Sequence, residues 1–385
     1  MKLLDICDLI VDCPHSTAKN EGKGYPLIRT PNIGRGRLNL DSVHRVLKQV
    51  YLKRNQRATP QVDDLILARE APVGNVAIIQ EEKVCLGQRT VLIRPNKEKV
   101  DANFLVYYLL APKQQHLLIS SSNGATVSHL NMSTIRNLEI NLPEMSIQKK
   151  IGRFLSKIDD LIGENEKINK NLLKQAQSIF TQEFLMFNRI PDGWKESSLL
   201  GIADYLNGLA MQKYRPKDNE QGLPVLKIKE LRQGYCDFSS KLCSPSIKPE
   251  YIIHDGDVIF SWSGSLLVDL WCGGTCGLNQ HLFKVTSSTY DKWFYYAWTK
   301  YHLQKFAAIA ADMATTMGHI KREELSKAEV LIPSQSDYNR IGSLLAPLYE
   351  LVISNRIENR KLASLRDELL PQLMSGQLDV SEVPL

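Results

Sequence analysis

The second half of the chain is an approximate repeat of the first half, because the two sequences match when one is shifted by about 190 residues. From Thr126 onward the shift is constant, so that His129 falls on His319 and Pro143 falls on Pro333. Upstream the matches drift, as expected where loops differ in length. A period this long indicates a duplicated domain rather than a solenoid of short repeats. The 385 residues therefore divide into two modules of one design.

Each module has two parts of different character. The front part has short apolar runs separated by Gly, Pro and Asn, which is typical of strands and loops. One helix is predicted in each front part, around 104–119 and 293–308. From Ile147 the apolar residues recur at alternating steps of three and four, which predicts a long helix with a coiled-coil heptad. Pro347 falls inside the second such pattern, so we expect that helix to be kinked or to start late.

These patterns predict an α+β fold with two tandem domains of mixed strands and short helices, each followed by a long helix. Neither long helix can bury its apolar seam alone, so we expect the two to pack as an antiparallel coiled coil about a pseudo-two-fold axis. The predicted segments are 1–145, 146–187, 188–335 and 336–385, the second being a helix and the fourth a helix with the C-terminal tail. The predicted seam residues are Ile151, Phe154, Ile158, Leu161, Asn165, Ile168 and Leu172 in the first helix, and Ile341, Leu344, Leu348, Leu351, Asn355, Leu362 and Leu365 in the second.

One asparagine lies at the same predicted seam position in each helix. Asn165 and Asn355 are related by the repeat shift and fall near the middle of their helices. A buried Asn lowers stability but fixes register when it meets another polar group. We therefore hypothesise that Asn165 pairs with Asn355. The alternative is that each Asn lies at a solvated edge of the seam.

The composition is that of a globular protein, with 43% apolar and 23% charged residues. No apolar run reaches the roughly 18 residues of a membrane helix, and residues 1–5 lack the apolar block of a signal peptide. Cys272 and Cys276 lack zinc-site spacing and a histidine cluster, so we expect reduced thiols and a cytoplasmic protein. The net charge of +6 permits a polyanionic partner without requiring one.

The sequence lacks several common catalytic motifs. There is no G-x-x-x-x-G-K-[ST] phosphate loop, no G-x-S-x-G elbow, no H-E-x-x-H helix and no Asn-Pro-Pro-aromatic run. The pairs Asp63–Asp64 and Asp255–Asp257 resemble nuclease carboxylates, but both precede an apolar strand, where Asp is ordinary turn chemistry. We therefore expect no catalytic residue, metal site or cofactor in this chain.

Side chains that can bind DNA gather at matched places in the two front parts. Arg can bind guanine and Asn or Gln can bind adenine through paired hydrogen bonds, whereas Lys neutralises phosphates. The alternative for each residue is an ordinary solvated surface side chain. The candidates are His15, Lys19, Arg29, Asn32, Arg35, Arg37, Arg69 and Arg89 in the first module, and Gln212, Lys213, Arg215, Lys227, Lys229, Arg232, Gln233 and His281 in the second.

Aromatic residues are the other candidates for contact with bases. The tyrosine pairs at 107–108 and 295–296 recur within the predicted front helices, which favours the protein core over base stacking. Trp262 and Trp271 are a minor alternative for stacking on bases.

Local phrases of the chain resemble one known family, the specificity (S) subunits of type I restriction-modification enzymes. The resemblance covers nearly the whole chain and rests on the duplicated order of recognition domain and long helix. The phrases are Pro191-Asp-Gly-Trp194, Ala125-Thr-Val-Ser-His-Leu130 with Thr315-Thr-Met-Gly-His-Ile320, and the most specific of them, Leu370-Pro-Gln-Leu-Met-Ser-Gly-Gln377.

The resemblance implies a division of labour. Each front part would be a target recognition domain that reads one half of an asymmetric bipartite site in double-stranded DNA. The paired helices would set the spacer and dock two methyltransferase (M) subunits, which would use S-adenosylmethionine to methylate adenine at N6. Restriction (R) subunits using ATP and Mg²⁺ would join for cleavage, and none of these cofactors would bind this chain.

Two other functions stay open at this point. A coiled-coil adaptor whose front domains bind proteins would show no DNA retention, whereas a DNA-binding subunit would show retention that falls steeply with salt. A stand-alone nuclease or methyltransferase would show turnover by the isolated chain.

Overall fold

The structure, a computed structural model, describes residues 1–80, 83–122, 129–312 and 320–380. Contacts divide the chain into two units, Met1–Gly163 with Leu362–Leu385, and Glu164–Lys361. Each unit therefore holds one front domain and a part of each long helix. The boundaries of the four predicted segments stay a prediction.

In the first unit the apolar runs form strands whose successive residues face opposite sides of a sheet. The strands are β1 (Cys7–Asp12), β2 (Tyr25–Ile28), β3 (Gly36–Arg37), β4 (His44–Val46), β5 (Leu65–Ala68), β6 (Val76–Ile78), β7 (Cys85–Leu86) and β8 (Thr90–Pro95). They pair in the orders β1-β8-β5-β6-β3 and β4-β2-β7. Leu65 and Leu67 join one apolar cluster, and Ile66 and Ala68 join another. Both faces of β5 are thus covered, which explains why its sequence is apolar throughout.

The helices of the first unit pack on the first of these clusters or, in the case of the helix that carries Val50 and Tyr51, on a small separate cluster of Leu27, Val46 and Cys85. They are α1 (Lys48–Arg54), α2 (Ala102–Leu110), α3 (Pro112–Ser120), α4 (Met132–Arg136) and α5 (Met145–Phe184), of which α5 continues into the second unit. Gly152 allows α5 to approach α2, because a Cβ there would lie 2.6 Å from the backbone nitrogen of Phe104. This contact fixes the long helix against its own front domain.

The second unit repeats this arrangement. Its strands are β9 (Lys195–Ser198), β10 (Asp204–Asn207), β11 (Leu223–Leu226), β12 (Leu242–Cys243), β13 (Ile252–Ile253), β14 (Val258–Ser261), β15 (Leu267–Leu270), β16 (Cys276–Leu278), β17 (Leu282–Thr286) and β18 (Glu329–Ile332). The helices are α6 (Leu199–Ile202), α7 (Ile228–Gln233), α8 (Lys292–Asp312), α9 (Arg322–Ser326) and α10 (Gln335–Ser375), the last ending in the first unit. The order β10-β17-β14-β15 reproduces β1-β8-β5-β6, as the sequence repeat requires.

The front helices agree only in part with their predicted form. The helix predicted over 104–119 is two helices, because the chain leaves helical geometry at Ala111 and restarts with Pro112 in the first turn. The helix predicted over 293–308 lies within α8. The tyrosines at 107, 108, 295 and 296 are all buried, which confirms their place in the core. Trp271 is also buried, so its alternative role in base stacking is wrong.

The two long helices start at repeat-equivalent residues, Met145 and Gln335. Ser334 caps α10, since its hydroxyl accepts a hydrogen bond from the Asp337 backbone at 3.2 Å. Helix α10 continues through Pro347. The expectation of a late start is therefore wrong, because the cap fixes the first turn well before the proline.

Within the second unit the two helices run antiparallel. Residue numbers rise along α10 as they fall along α5 in the contacts Arg340–Glu183, Asn355–Asn169 and Asn359–Asn165, at 2.8, 2.9 and 2.9 Å. The hypothesised Asn165–Asn355 pair is therefore wrong. Antiparallel helices bring repeat-equivalent residues together only at the centre of the pairing, and these asparagines lie about half a turn away from it.

About every second residue that was predicted to be buried in the helix seam is exposed instead. Six predicted seam residues are 42–50% exposed: Phe154, Leu161, Ile168, Leu344, Leu351 and Leu365. Burial shifts to the next residue, as at Leu155, Asn169, Leu345 and Val352. The steps from Ile151 thus run four then three, not three then four. Both orders place apolar residues at regular intervals, so apolar periodicity alone could not separate them.

Candidate nucleic-acid interface

Two predicted arginines of the first unit are held by carboxylates of the protein itself. Arg37 in β3 pairs with Asp160 of α5 at 2.8 Å and also donates to the carbonyl of Ser156. Arg69 pairs with Asp12 at 2.7 Å, and its side chain is only 14% exposed. Both side chains connect elements within the unit, so their placement supports an architectural role and not the predicted contact with DNA.

The loop between β2 and β3 contains three further candidates. Asn32 is buried, and its amide is used within the loop, accepting from the Arg29 backbone at 3.1 Å and donating to Asn39 O at 3.1 Å. This placement does not support the predicted contact of Asn32 with a base. Arg29 is half-buried, whereas Arg35 is exposed and donates to Leu110 O at 3.3 Å.

A second candidate surface of the first unit combines His15, Lys19 and Arg89, which are all exposed. The loops of His15 and Arg89 are neighbours, because the side chain of Gln88 donates to His15 O at 2.9 Å. Arg89 also pairs with Glu70 at 2.8 Å, yet its side chain stays 56% exposed. The geometry thus brings the loops that carry the residues at 15 and 89 together.

The structure identifies a positioning residue that the sequence did not reveal. Arg54 of α1 is buried and donates to three carbonyl oxygens, those of Leu86, Ser16 and Pro14. These bonds fix the loop that carries His15. The sequence could not predict this role of Arg54. Its partners are backbone carbonyl groups, which every residue has, so no particular side chain elsewhere in the sequence marks the contact.

In the second unit Gln212, Lys213 and Arg215 are exposed on and after the short helical turn Met211–Lys213. Lys227 is half-buried, and His281 is exposed with its Nδ1 3.1 Å from the Ser263 hydroxyl. These placements leave polar groups at the surface, and their contact with DNA stays a prediction.

Helix α7 and the loop after it carry the remaining candidates. Lys229 bonds to Asp237 at 3.2 Å and to the Ser239 hydroxyl at 2.8 Å. Gln233 donates to Tyr235 O and to Asp237. Arg232 is exposed. Lys229, Arg232 and Gln233 line one shallow cavity together with Ile228 and Ser265, so this part of the prediction forms a single surface.

The paired aspartates of the sequence bind cations of the protein. Asp64 is buried and takes two hydrogen bonds from Arg94, both at 2.8 Å. Asp255 binds Arg360 of α10, and the Arg360 guanidinium and the Gly274 amide lower the pKa of that carboxyl although burial opposes them. In the part of the chain that the structure describes, no three His, Cys, Asp or Glu side chains are grouped to hold a metal ion.

The family described as type I restriction modification DNA specificity domain matches the chain twice, at residues 1–174 and 191–365. The chain belongs to this family. The predicted resemblance is confirmed, and so is the prediction that the chain is a specificity subunit of a type I restriction-modification system. The phrases Ala125–Leu130 and Thr315–Ile320 lie mostly outside the described residues.

Curated relatives of this specificity subunit span its length at low identity. The type I restriction enzyme MjaIX specificity subunit of Methanocaldococcus jannaschii is 26% identical over 375 residues, covering 91% of this chain and 84% of the relative. The putative type I restriction enzyme MjaX specificity subunit of the same organism is 23% identical over 410 residues, covering 98% and 93%.

A solved structure supports the fold of the specificity subunit. The S subunit of a type I restriction-modification system from M. genitalium matches with a TM-score of 0.59 at 14% identity, covering 97% of this chain and 95% of that one. The predicted α+β fold with tandem domains and long helices is confirmed. Among the described helices, none combines the length and apolar character required to cross a bilayer.

Proposed function

We propose that each front domain reads one half of an asymmetric bipartite DNA site, and that the long helices set the spacer and dock two modification subunits. The observation that carries this proposal is the pair of specificity-domain matches, each covering a front domain and most of the helix after it. Two linked readers of one duplex recognise a divided site, because each contributes its own contacts with base edges.

The asymmetry of the site follows from loops that differ between matched places. After β2 the first unit has the short helical turn Thr30–Asn32, whereas after β11 the second has α7, which ends at Gly234 with φ of 84°. The cavity beside α7 presents Lys229, Arg232 and Gln233, which can reach phosphates and base edges. Different side chains in the two readers select different half-sites.

The binding of two copies of a partner is supported by apolar residues of the long helices that lie outside the seam and are exposed. Phe154 and Leu161 in the first unit are repeat-equivalent to Leu344 and Leu351 in the second, and all four are 42–50% exposed. Exposed large apolar residues at regular helical intervals favour a protein contact. Since the same pattern occurs once in each module, it fits two copies of one partner.

Chemistry belongs to the partners in this proposal. The modification subunits supply S-adenosylmethionine and methylate adenine at N6, and restriction subunits supply ATP-driven cleavage with Mg²⁺. The buried or paired aspartates at 64 and 255 have their charge satisfied by arginines, which supports a non-catalytic role for this chain.

Mapping of N6-methylated adenines in cells tests the proposal. Cells with the chain and its modification subunits should carry one new methylated motif with two unlike halves and a fixed gap. Exchange of residues 191–334 for the front domain of another specificity subunit should replace one half only. A methylation pattern that does not depend on the chain would contradict the proposal.

A matched helix change tests the spacer separately. Residues 164–170 and 354–360 are repeat-equivalent heptads that face each other in the second unit. Duplication of both adds about 10 Å of helix, so the gap of the methylated motif should lengthen by up to about three base pairs of about 3.4 Å. Duplication of only one heptad is the control that disrupts pairing. An unchanged gap in the double variant would contradict the spacer role.

A further inference from the structure

The aromatic ring of Phe238 in the second unit stands free of the protein surface. The residue has a relative exposure of 104%, and its neighbours Tyr235 and Leu242 are 53% and 51% exposed. Tyr235 and Phe238 lie between α7 and β12, beside the cavity that Lys229 and Arg232 line, and Leu242 begins β12. An exposed apolar cluster of this kind indicates a contact with another molecule.

The loop that carries Phe238 is pinned on both sides of the ring. The carboxylate of Asp237 accepts from the backbone and hydroxyl of Ser239, at 2.8 and 2.6 Å, and from Lys229 at 3.2 Å. The Ser240 hydroxyl accepts from the Asp237 backbone and donates to the buried Glu230 of α7. Hydrogen bonds from Ser239 and Lys229 hold the pKa of Asp237 well below its usual range. The network therefore persists at neutral pH and presents the ring in a set position.

The surroundings of the ring favour a polyanion with flat apolar groups. Lys229 and Arg232 are exposed on α7, and Lys241 is exposed in the loop that carries the ring. The nearest carboxylates are already used, because Asp237 binds Lys229 and Glu230 is buried. Cations that neutralise phosphates beside an aromatic ring that can stack on bases match the chemistry of DNA.

The matched loop of the first unit lacks this feature. Phe238 follows Gly234 by four residues, and Gly234 has a positive φ of 84°. In the first unit Gly36 has a φ of 98°, and the residue four positions later is Leu40, which packs against an apolar cluster of its own unit. The fold therefore does not require an exposed ring at this place.

We propose that Phe238 inserts between bases of the half-site read by the second domain, with Arg232 on a flanking phosphate. This inference rests on the proposed function. An inserted apolar side chain partly unstacks a base step and kinks the duplex. The cost of that deformation depends on the step, and pyrimidine–purine steps open most easily. Phe238 is thus a specificity-determining residue that selects a deformable step without a hydrogen bond to a base.

The test measures binding of the full-length chain, in complex with its modification subunits, to a duplex carrying the mapped methylation motif. F238A should weaken binding by about 5- to 100-fold, the effect of losing one stacked base, whereas F238W should bind within about twofold of the parent because it keeps the stacking surface. L52A, which removes a 56% exposed apolar side chain from α1 of the first unit, is the matched control and should bind like the parent. Equal thermal unfolding of all variants shows that folding is unchanged.

A fluorescent base locates the insertion. Substitution of 2-aminopurine at successive positions of the second half-site should reveal one step that brightens with the parent and not with F238A, while the first half-site is unaffected. Equal affinity and equal fluorescence of the parent and F238A overturn the insertion and leave the proposed function intact.

Two other outcomes are distinct. If the parent complex shows no salt-sensitive preference for the mapped motif, the proposed function and the insertion both fall. If F238A loses its modification subunits on size-exclusion chromatography, Phe238 contacts protein, and the insertion is overturned.

Discussion

Asn355 donates a hydrogen bond from its side-chain amide to Oδ1 of Asn169 at 2.9 Å, in the buried seam between the two long helices. The repeat image of this pair is the bond from Asn165 to Asn359, also at 2.9 Å. Asn169 and Asn355 are each only 7% exposed. The duplication thus placed one polar contact twice in an apolar seam, where it specifies which turns of the helices meet.

Replacement of one or both asparagines should show how strongly this buried contact couples the two helices. N169L leaves the Asn355 amide without its partner, so it should lower the free energy of unfolding by about 1–3 kcal/mol. The double variant N169L/N355L should recover that loss or exceed the parent, because two leucines suit an apolar seam. Thermal unfolding of the single and double variants gives the coupling. Additive losses in the double variant would contradict a direct contact.

The ion pair between Arg366 and Asp159 should be worth more than exposed pairs of similar length. Asp159 is buried, bonds to Arg366 at 2.6 Å and also accepts from the Tyr107 hydroxyl at 2.6 Å. R366A leaves a buried carboxylate without its cation and should cost about 3–5 kcal/mol. K327A, which breaks the exposed pair with Glu323, should change stability far less, because solvent screens exposed charges. Denaturant unfolding compares them, and equal effects would contradict the distinction.

His302 should make stability depend on pH near neutrality. Burial lowers the pKa of its imidazole, and its Nε2 donates to Glu329 O at 2.8 Å. Because the folded pKa lies below that of the unfolded chain, the stabilisation is present above about pH 6.5 and is lost as pH falls through the folded pKa. H302Q cannot titrate, so its unfolding midpoint should fall less than that of the parent between pH 7.5 and 5.5. Parallel falls would contradict this role.

Charge on the outer helix surface should remove modification subunits one at a time. Leu161 and Leu351 are 50% and 45% exposed and are repeat-equivalent. L161K or L351K should leave one subunit bound, and the double variant none, because burial of a lysine in an apolar contact is unfavourable. L52K, at a 56% exposed position in α1, is the control. Mass measurement of the purified complexes decides, and retention of two subunits by the double variant would contradict this surface.

Two arginines of the candidate interface should behave differently on substitution. Arg215 is exposed, so R215A should weaken DNA binding uniformly and reduce the salt slope by about one. Arg37 is held by Asp160, so R37A should lower the unfolding midpoint and leave the slope unchanged. Binding titrations over a range of salt concentrations separate them. A reduced slope for R37A would restore its predicted contact with phosphate.

The duplication and the long helices were predictable because both leave regular patterns in the sequence. The seam register was not, since Phe154 and Leu155 are both apolar and only the packing of the fold shows that the second is buried. The roles of the basic residues in the candidate interface were even harder to predict. Arg37 and Arg215 are alike in sequence, and only tertiary contacts show that one bonds to its own protein while the other faces outward.

Backbone pairing joins the first and last segments of each front domain. Lys2 bridges to Glu139 in the first unit, and β9 pairs with β18 in the second from Lys195–Ile332 to Ser198–Glu329. A segment whose two ends are joined in this way can be cut out and replaced as a cassette, since its own strands seal it. Recombination at those junctions would generate new pairings of half-specificities in a single step, with no need to redesign the bundle that carries them.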